Sequence, residues 1–197
     1  MKVIGITGGI GSGKSQVLEF LQKTYQAFVC QADQVAWTLQ MPGQSCYIEI
    51  VKHFGTTILN RDGTINRGKL GQIVFQNKDE LDVLNRIMHP AVKKWIVQKI
   101  NLEKQNGIQY FILEAALLLE DNYDLICDEL WYIYANESVR RLRLKENRQY
   151  TDEKIDAIIK TQLSEDIFRK RCQFVIDNSG NFADTCKQIH KIMGEIV

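Results

Sequence analysis

Eight residues near the N-terminus, Gly8-Gly9-Ile10-Gly11-Ser12-Gly13-Lys14-Ser15, satisfy every fixed position of the spacing G-x-x-x-x-G-K-[ST]. An apolar run, Val3–Thr7, precedes them and an apparent helix, Ser15–Leu21, follows. Strand, glycine-rich turn and helix in that order are the context in which the motif cradles phosphates. Its glycines permit positive φ and keep side chains away, so successive backbone N–H groups can converge on one anion. The helix N-terminus adds partial positive charge on the same oxygens. Lys14 supplies a point charge to the β- and γ-phosphates, and the Ser15 hydroxyl is the expected magnesium ligand. A nucleoside triphosphate with Mg²⁺ is therefore expected here, held by Gly8, Gly9, Gly11, Ser12, Gly13, Lys14, Ser15 and Gln16.

Two carboxylates stand where they could serve such a site. Asp33 falls just beyond a second apolar run, Ala27–Cys30, and ligands of open α/β sheets bind outside the carboxyl ends of the strands. It could accept the proton of an incoming hydroxyl or help to position magnesium. Equally, it could be the N-cap of a helix beginning near Val35. Glu114 closes the run YFILE and resembles the acidic residue that bonds the magnesium water shell after a strand, a place more often held by Asp. Glu120 and Asp121 read as surface charge, and His53 and His190 lie in amphipathic helical patterns. Asn77-Lys78-Asp79-Glu80 superficially resembles a guanine-specificity tetrapeptide, but its acid is one place early and no strand precedes it, which argues against a GTPase.

The elements that must position these groups show βα alternation. Further β-rich runs occur at Tyr110–Leu113, Leu130–Tyr134 and Phe174–Ile176, giving five in all with helical patterns between most of them. An α/β fold with a five-stranded parallel sheet covered by helices on both faces is expected. Cys30 and Tyr110 are separated by about 80 positions, whereas a βαβ unit needs only about 30 residues. The excess carries apolar residues at helical spacing, such as Leu70, Ile73 and Val74, and reads as a helical insertion. Turn signals at Pro42-Gly43, Asp62-Gly63 and His89-Pro90 divide it, the last marking a turn and a helix start. Glu137–Lys170 is dense in charge and reads as a solvated helical pair or, beside a triphosphate site, a mobile lid.

Composition excludes several classes. With 25 Lys+Arg against 24 Asp+Glu the net charge is +1, so there is no global attraction to nucleic acid or to an anionic membrane. Apolar runs such as Ala115–Leu119 are far below the about 20 residues needed to span a bilayer. Five scattered cysteines without a CxxC pair, and an N-terminus that enters a strand pattern at once, predict free thiols in the cytoplasm.

Taken in order, TGGIGSGKS, Ala32-Asp33, Pro42-Gly43, Phe54-Gly55, DGTINR at Asp62–Arg67, His89-Pro90, LLLE at Leu117–Glu120 and IDNSG at Ile176–Gly180 form a specific series. The series resembles the dephospho-coenzyme A kinase family from end to end. The resemblance implies a P-loop kinase fold and transfer of the ATP γ-phosphoryl to the ribose 3′-hydroxyl of dephospho-coenzyme A, the last step of coenzyme A biosynthesis. It implies that Asp33, together with Lys14, is catalytic, Asp33 as the base. It also implies one kinase domain in three parts: a core (1–41, 107–136 and 171–197), a substrate-binding insertion (about 42–106) and a lid within about 137–170. Arg143 and Arg148 are similar to lid arginines that approach the ATP phosphates, and Asn178 to the residue near the adenine. Asp33, Arg67 and His89 are the candidate acceptor contacts, and Arg67, Lys69 and Lys93 could neutralise the acceptor's pyrophosphate. The chain departs from the family pattern at Gln31, Trp37 and Ala116, where Asp, Arg and Pro are usual. Competing readings are another small-molecule P-loop kinase, acting on a nucleoside monophosphate or a sugar acid, and an ATP-binding switch without an acceptor. A hydroxyl-activating carboxylate and a long insertion favour a kinase.

Overall fold

Each of the five apolar runs is a strand in the computed structural model, which describes residues 1–195; the last two residues of the core reading, 196 and 197, lie outside the described residues. The strands are β1 (Lys2–Thr7), β2 (Phe28–Gln31), β3 (Tyr110–Glu114), β4 (Glu129–Tyr134) and β5 (Phe174–Asp177), in one sheet of order β2-β3-β1-β4-β5. β1 pairs in parallel with β3 and β4, and β4 with β5. Near-continuous burial along β1, β3 and β4 follows from cover on both faces, which is why these strands read as unbroken apolar runs.

The helices are α1 (Lys14–Tyr25), α2 (Ala32–Leu39), α3 (Ser45–Phe54), α4 (Arg67–Gln76), α5 (Lys78–Gln105), α6 (Glu137–Arg148), α7 (Asp152–Thr161), α8 (Glu165–Arg171) and α9 (Phe182–Glu195). The chain divides into two compact units, Met1–Val29 with Glu103–Val197, and Cys30–Leu102. In the first, Ile4 and Ile6 of β1, Ile112, Trp131, Ile133 and Ile176 form a core with Val17, Leu18 and Leu21 of α1 and Ile189 and Met193 of α9. The opposite face of β1 is packed so closely that a Cβ at Gly5 would fall 2.8 Å from Leu130 and 2.9 Å from the Cys127 sulfur.

The second unit is helical apart from the end of β2 and one antiparallel bridge, Leu59 to Ile65, around the Asp62-Gly63 turn. There the Asp62 carboxylate accepts from the Thr64 N–H at 3.0 Å and from its hydroxyl at 2.6 Å. The expected break at His89-Pro90 is absent, because α5 runs through it with Pro90 inside the helix. An interior proline costs about 3 kcal/mol. Met88, Val92 and Ile96 are buried in series across it, and that continuous apolar stripe outweighs the missing hydrogen bond. The charged segment after β4 holds three helices, α6 to α8, rather than a pair. A second break falls at Gln162–Ser164, where Ser164 takes extended backbone ahead of α8.

All five cysteines are free thiols, and Cys30, Cys46 and Cys172 are buried. Burial pushes the Cys30 and Cys127 thiols up to about 12 and Cys172 to about 11. A thiol whose pKa is raised by folding stabilises the fold fully below its unfolded value near 9. That contribution is lost as pH rises towards 11–12. Chemical denaturation at pH 7.5 and pH 10.5 is expected to show a lower midpoint at the higher pH, with the loss reduced when Cys30 and Cys127 are both replaced by alanine. The folded protein should also release fewer than five thiols to Ellman's reagent at pH 7.5, and all five in denaturant.

Candidate active site

The phosphate loop is built by the end of β1 and the start of α1. Gly13 is the N-cap of α1 with φ 89° and ψ 22°, a left-handed conformation that only glycine adopts cheaply. At Gly8 the constraint is space, since an added Cβ would lie 2.5 Å from the Ile133 carbonyl oxygen of β4. The Lys14 ammonium donates to the Gly8 carbonyl at 2.7 Å, so it already spans the loop it is expected to serve. Ser15 and Gln16 are exposed in the first turn of α1. The Ser12 hydroxyl is buried without a hydrogen-bond partner among the described residues. An orphaned polar atom inside a loop whose glycines leave no room for side chains fits a phosphate-binding cradle.

Residues far along the chain complete the loop. Asn178, just beyond β5, is buried, donates its side-chain amide to the Ser12 carbonyl at 2.8 Å and accepts from the Thr185 hydroxyl at 2.9 Å. Arg143 of α6 donates to the Asn178 carbonyl at 2.8 Å and to the Ser12 carbonyl at 3.4 Å. The structure thus brings Asn178 and Arg143 to the loop but leaves Arg148 exposed in the last turn of α6. Two residues were missed by the sequence reasoning. The Arg140 guanidinium lies where a Gly9 side chain would be, and the Gln162 side-chain oxygen accepts from the Ile10 N–H at 3.1 Å. Helical spacing gave a signal for the first, since Arg140 is one turn before Arg143; the second, at the end of α7, had none. The two helices are tied by Arg141 of α6, which pairs with Asp156 of α7, and by Lys145, which pairs with Asp152 at 2.8 Å.

Glu114 is the last residue of β3, paired in register with Ile6 of β1, and is nearly buried. That places a carboxylate beside the strand that feeds the loop. Among the described residues no group of three or more His, Cys, Asp or Glu side chains could hold a metal. A hydroxyl and one carboxylate fit an ion such as Mg²⁺, which takes only one or two protein ligands and draws the rest from phosphates and water.

Within the second unit, Asp33 lies in the first turn of α2, and the N-cap is Gln31, which makes no side-chain cap. The N-cap reading of Asp33 is therefore overturned: the helix starts three residues earlier than Val35. Asp33, Trp37 and Arg67 line one cavity of about 380 Å³. The Lys69 ammonium is bonded to the Thr57 and Leu59 carbonyls, at 3.0 and 3.4 Å, so of the three cationic candidates it is Arg67 that faces the cavity of Asp33. Lys93 is half-buried in α5, and His89 is exposed on the same helix. The guanine-like tetrapeptide is a helix start, with the Asn77 side chain accepting from the Asp79 N–H at 3.0 Å.

The dephospho-CoA kinase family profile matches residues 2–184. A dephospho-CoA kinase of Carboxydothermus hydrogenoformans is 38% identical over 193 residues, covering 98% of this chain and 93% of the relative. One from Halalkalibacterium halodurans is 39% identical, covering 97% and 94%. The solved structure of TT1252 from Thermus thermophilus superposes with a TM-score of 0.80 at 25% identity, over 100% of this chain and 98% of that one. With a matching profile over nearly its whole length and relatives near 40% identity, the chain belongs to the dephospho-CoA kinase family.

Proposed function

We infer that the chain catalyses ATP-dependent phosphorylation of the ribose 3′-hydroxyl of dephospho-coenzyme A, yielding coenzyme A and ADP, the last step in making coenzyme A. The observation that carries this reading is the family match over residues 2–184 of a chain whose phosphate loop is intact. In this reading the loop amides of Gly8–Ser15, with Gln16, hold the triphosphate and Lys14 offsets charge as the γ-phosphoryl leaves. Ser15, and Glu114 through water, would hold Mg²⁺, which when bound neutralises phosphate charge. Asp33 takes the proton from the acceptor hydroxyl. Arg143 and Arg148 attend the ATP phosphates, Arg67 and His89 the acceptor, and Asn178 shapes the adenine end. Burial of Asn178 and its bond to the Ser12 carbonyl support a role in holding the loop.

The reading divides the chain into a core (1–41, 107–136 and 171–197), a substrate-binding insertion (about 42–106) and a lid (about 137–170). A cytoplasmic setting suits five free thiols, and no helix of the described residues is long and apolar enough to cross a membrane.

The test is ATP consumption with dephospho-coenzyme A, adenylate and shikimate offered separately. Turnover is expected with the first alone, and ADP formed with adenylate or shikimate but not dephospho-coenzyme A would overturn the assignment.

A further inference from the structure

α2 is short and two-sided. Ala32, Val35 and Leu39 are its buried face, while Asp33 and Trp37, four residues apart, stand together on the exposed one. The Trp37 indole is half exposed, at 50%, although a side chain of its size stabilises most when covered. It lines two adjoining cavities: that of Asp33, about 380 Å³, and a smaller one, about 150 Å³, with Gln40, Met41, Thr64 and Ile65. Arg67 lines both as well.

Arg67 is the first residue of α4, in a turn that holds no acidic side chain. A cation there faces the positive end of the helix dipole, where local electrostatics oppose it. No hydrogen bond or ion pair among the described residues engages the side chain of Arg67 or of Asp33. One cavity therefore presents a guanidinium, a carboxylate and a half-exposed indole. An anion, a hydroxyl and a flat apolar ring are their respective complements. A nucleotide whose ribose hydroxyl reacts carries all three within its own length.

We propose that Trp37 is a specificity-determining residue of this chain: its indole stacks on the nucleobase of the phosphoryl acceptor, while Arg67 binds the acceptor's diphosphate. The proposal rests on the reading of Asp33 as the base and extends it to the acceptor's adenine. Asp33 and Trp37 are one helical turn apart, about 5–6 Å between Cβ atoms. The 3′-hydroxyl and the base flank the same ribose, so a sugar seated at Asp33 brings its base to the indole. The usual arginine at this position could attract a phosphate but presents a smaller stacking face; tryptophan exchanges charge for area.

The test follows steady-state kinetics and tryptophan fluorescence. Trp37→Ala is expected to raise KM for dephospho-coenzyme A about 5- to 150-fold, the range for loss of one base–aromatic stack, with the loss falling on KM rather than kcat and KM for ATP unmoved. Trp37→Phe should recover most of it. Dephospho-coenzyme A should quench the fluorescence of the unaltered protein but not that of Trp37→Phe, and pantetheine 4′-phosphate, which lacks the adenosine, should leave it unchanged. An unaltered KM in Trp37→Ala, or equal quenching by pantetheine 4′-phosphate, overturns the proposal. The Asp33→Asn variant separates the two readings. Undiminished turnover there removes Asp33 as the base, whereas persistence of the quench keeps Trp37 on the acceptor.

Discussion

Replacing Asp33 with asparagine is expected to lower kcat for dephospho-coenzyme A by about 10²–10⁴-fold, the usual worth of a positioned general base, with ATP affinity unchanged. The substitution is informative because Asp33 has little structural work to do. It is exposed, it does not cap α2, and no hydrogen bond or ion pair among the described residues holds its side chain. Asparagine keeps the shape and removes only the charge and the proton-accepting oxygen. Stability should fall by no more than the loss of a favourable carboxylate in the first turn of a helix, about 0.3–1 kcal/mol. Urea denaturation and calorimetric titration with ATP would establish that the fold and the donor site persist. A kcat within threefold of the unaltered protein would remove Asp33 from the chemistry.

Gly13→Ala should instead abolish the donor site. The residue is left-handed, which costs a side-chain-bearing residue about 1–2 kcal/mol. Its new Cβ would also collide with the Asn178 amide nitrogen. Asn178 cannot simply withdraw, because it is buried, bridges the Ser12 carbonyl and the Thr185 hydroxyl, and holds its own N–H on the Tyr134 carbonyl at 2.8 Å. Unpairing such a group costs about 1–3 kcal/mol. The loop backbone has to move, and its amides lose their common focus. ATP affinity is expected to fall at least about 100-fold, with a stability loss of about 2–5 kcal/mol. Gly180→Ala is the control, since nothing lies within 4 Å of its added Cβ; near-unaltered ATP binding by Gly13→Ala would contradict the account.

Where the sequence misled, a longer-range force had prevailed over a local signal. Pro90 is a strong breaker, yet burial on either side carries α5 through it. Asp33 has the composition of a cap, but Ala32 and Val35 are both buried, and their burial starts α2 a turn sooner. The reach of the Lys69 ammonium to the Thr57 and Leu59 carbonyls depends on the Thr56–Ile58 turn, a contact that no local signal announces.

The phosphate loop, the five strands and the family were legible in the sequence by itself, because their signals are local. A glycine must sit where φ is positive or space is absent, and a strand covered on both faces must be apolar throughout. The companions of the loop were decided only by tertiary structure. Asn178, Arg143 and Gln162 meet residues 166, 131 and 152 positions away, through the Ser12 carbonyl and the Ile10 N–H. The reason is the strand order β2-β3-β1-β4-β5. Parallel pairing sets the ends of β4 and β5 on the same side as the end of β1, so the segments that follow them converge on the one loop that β1 supplies.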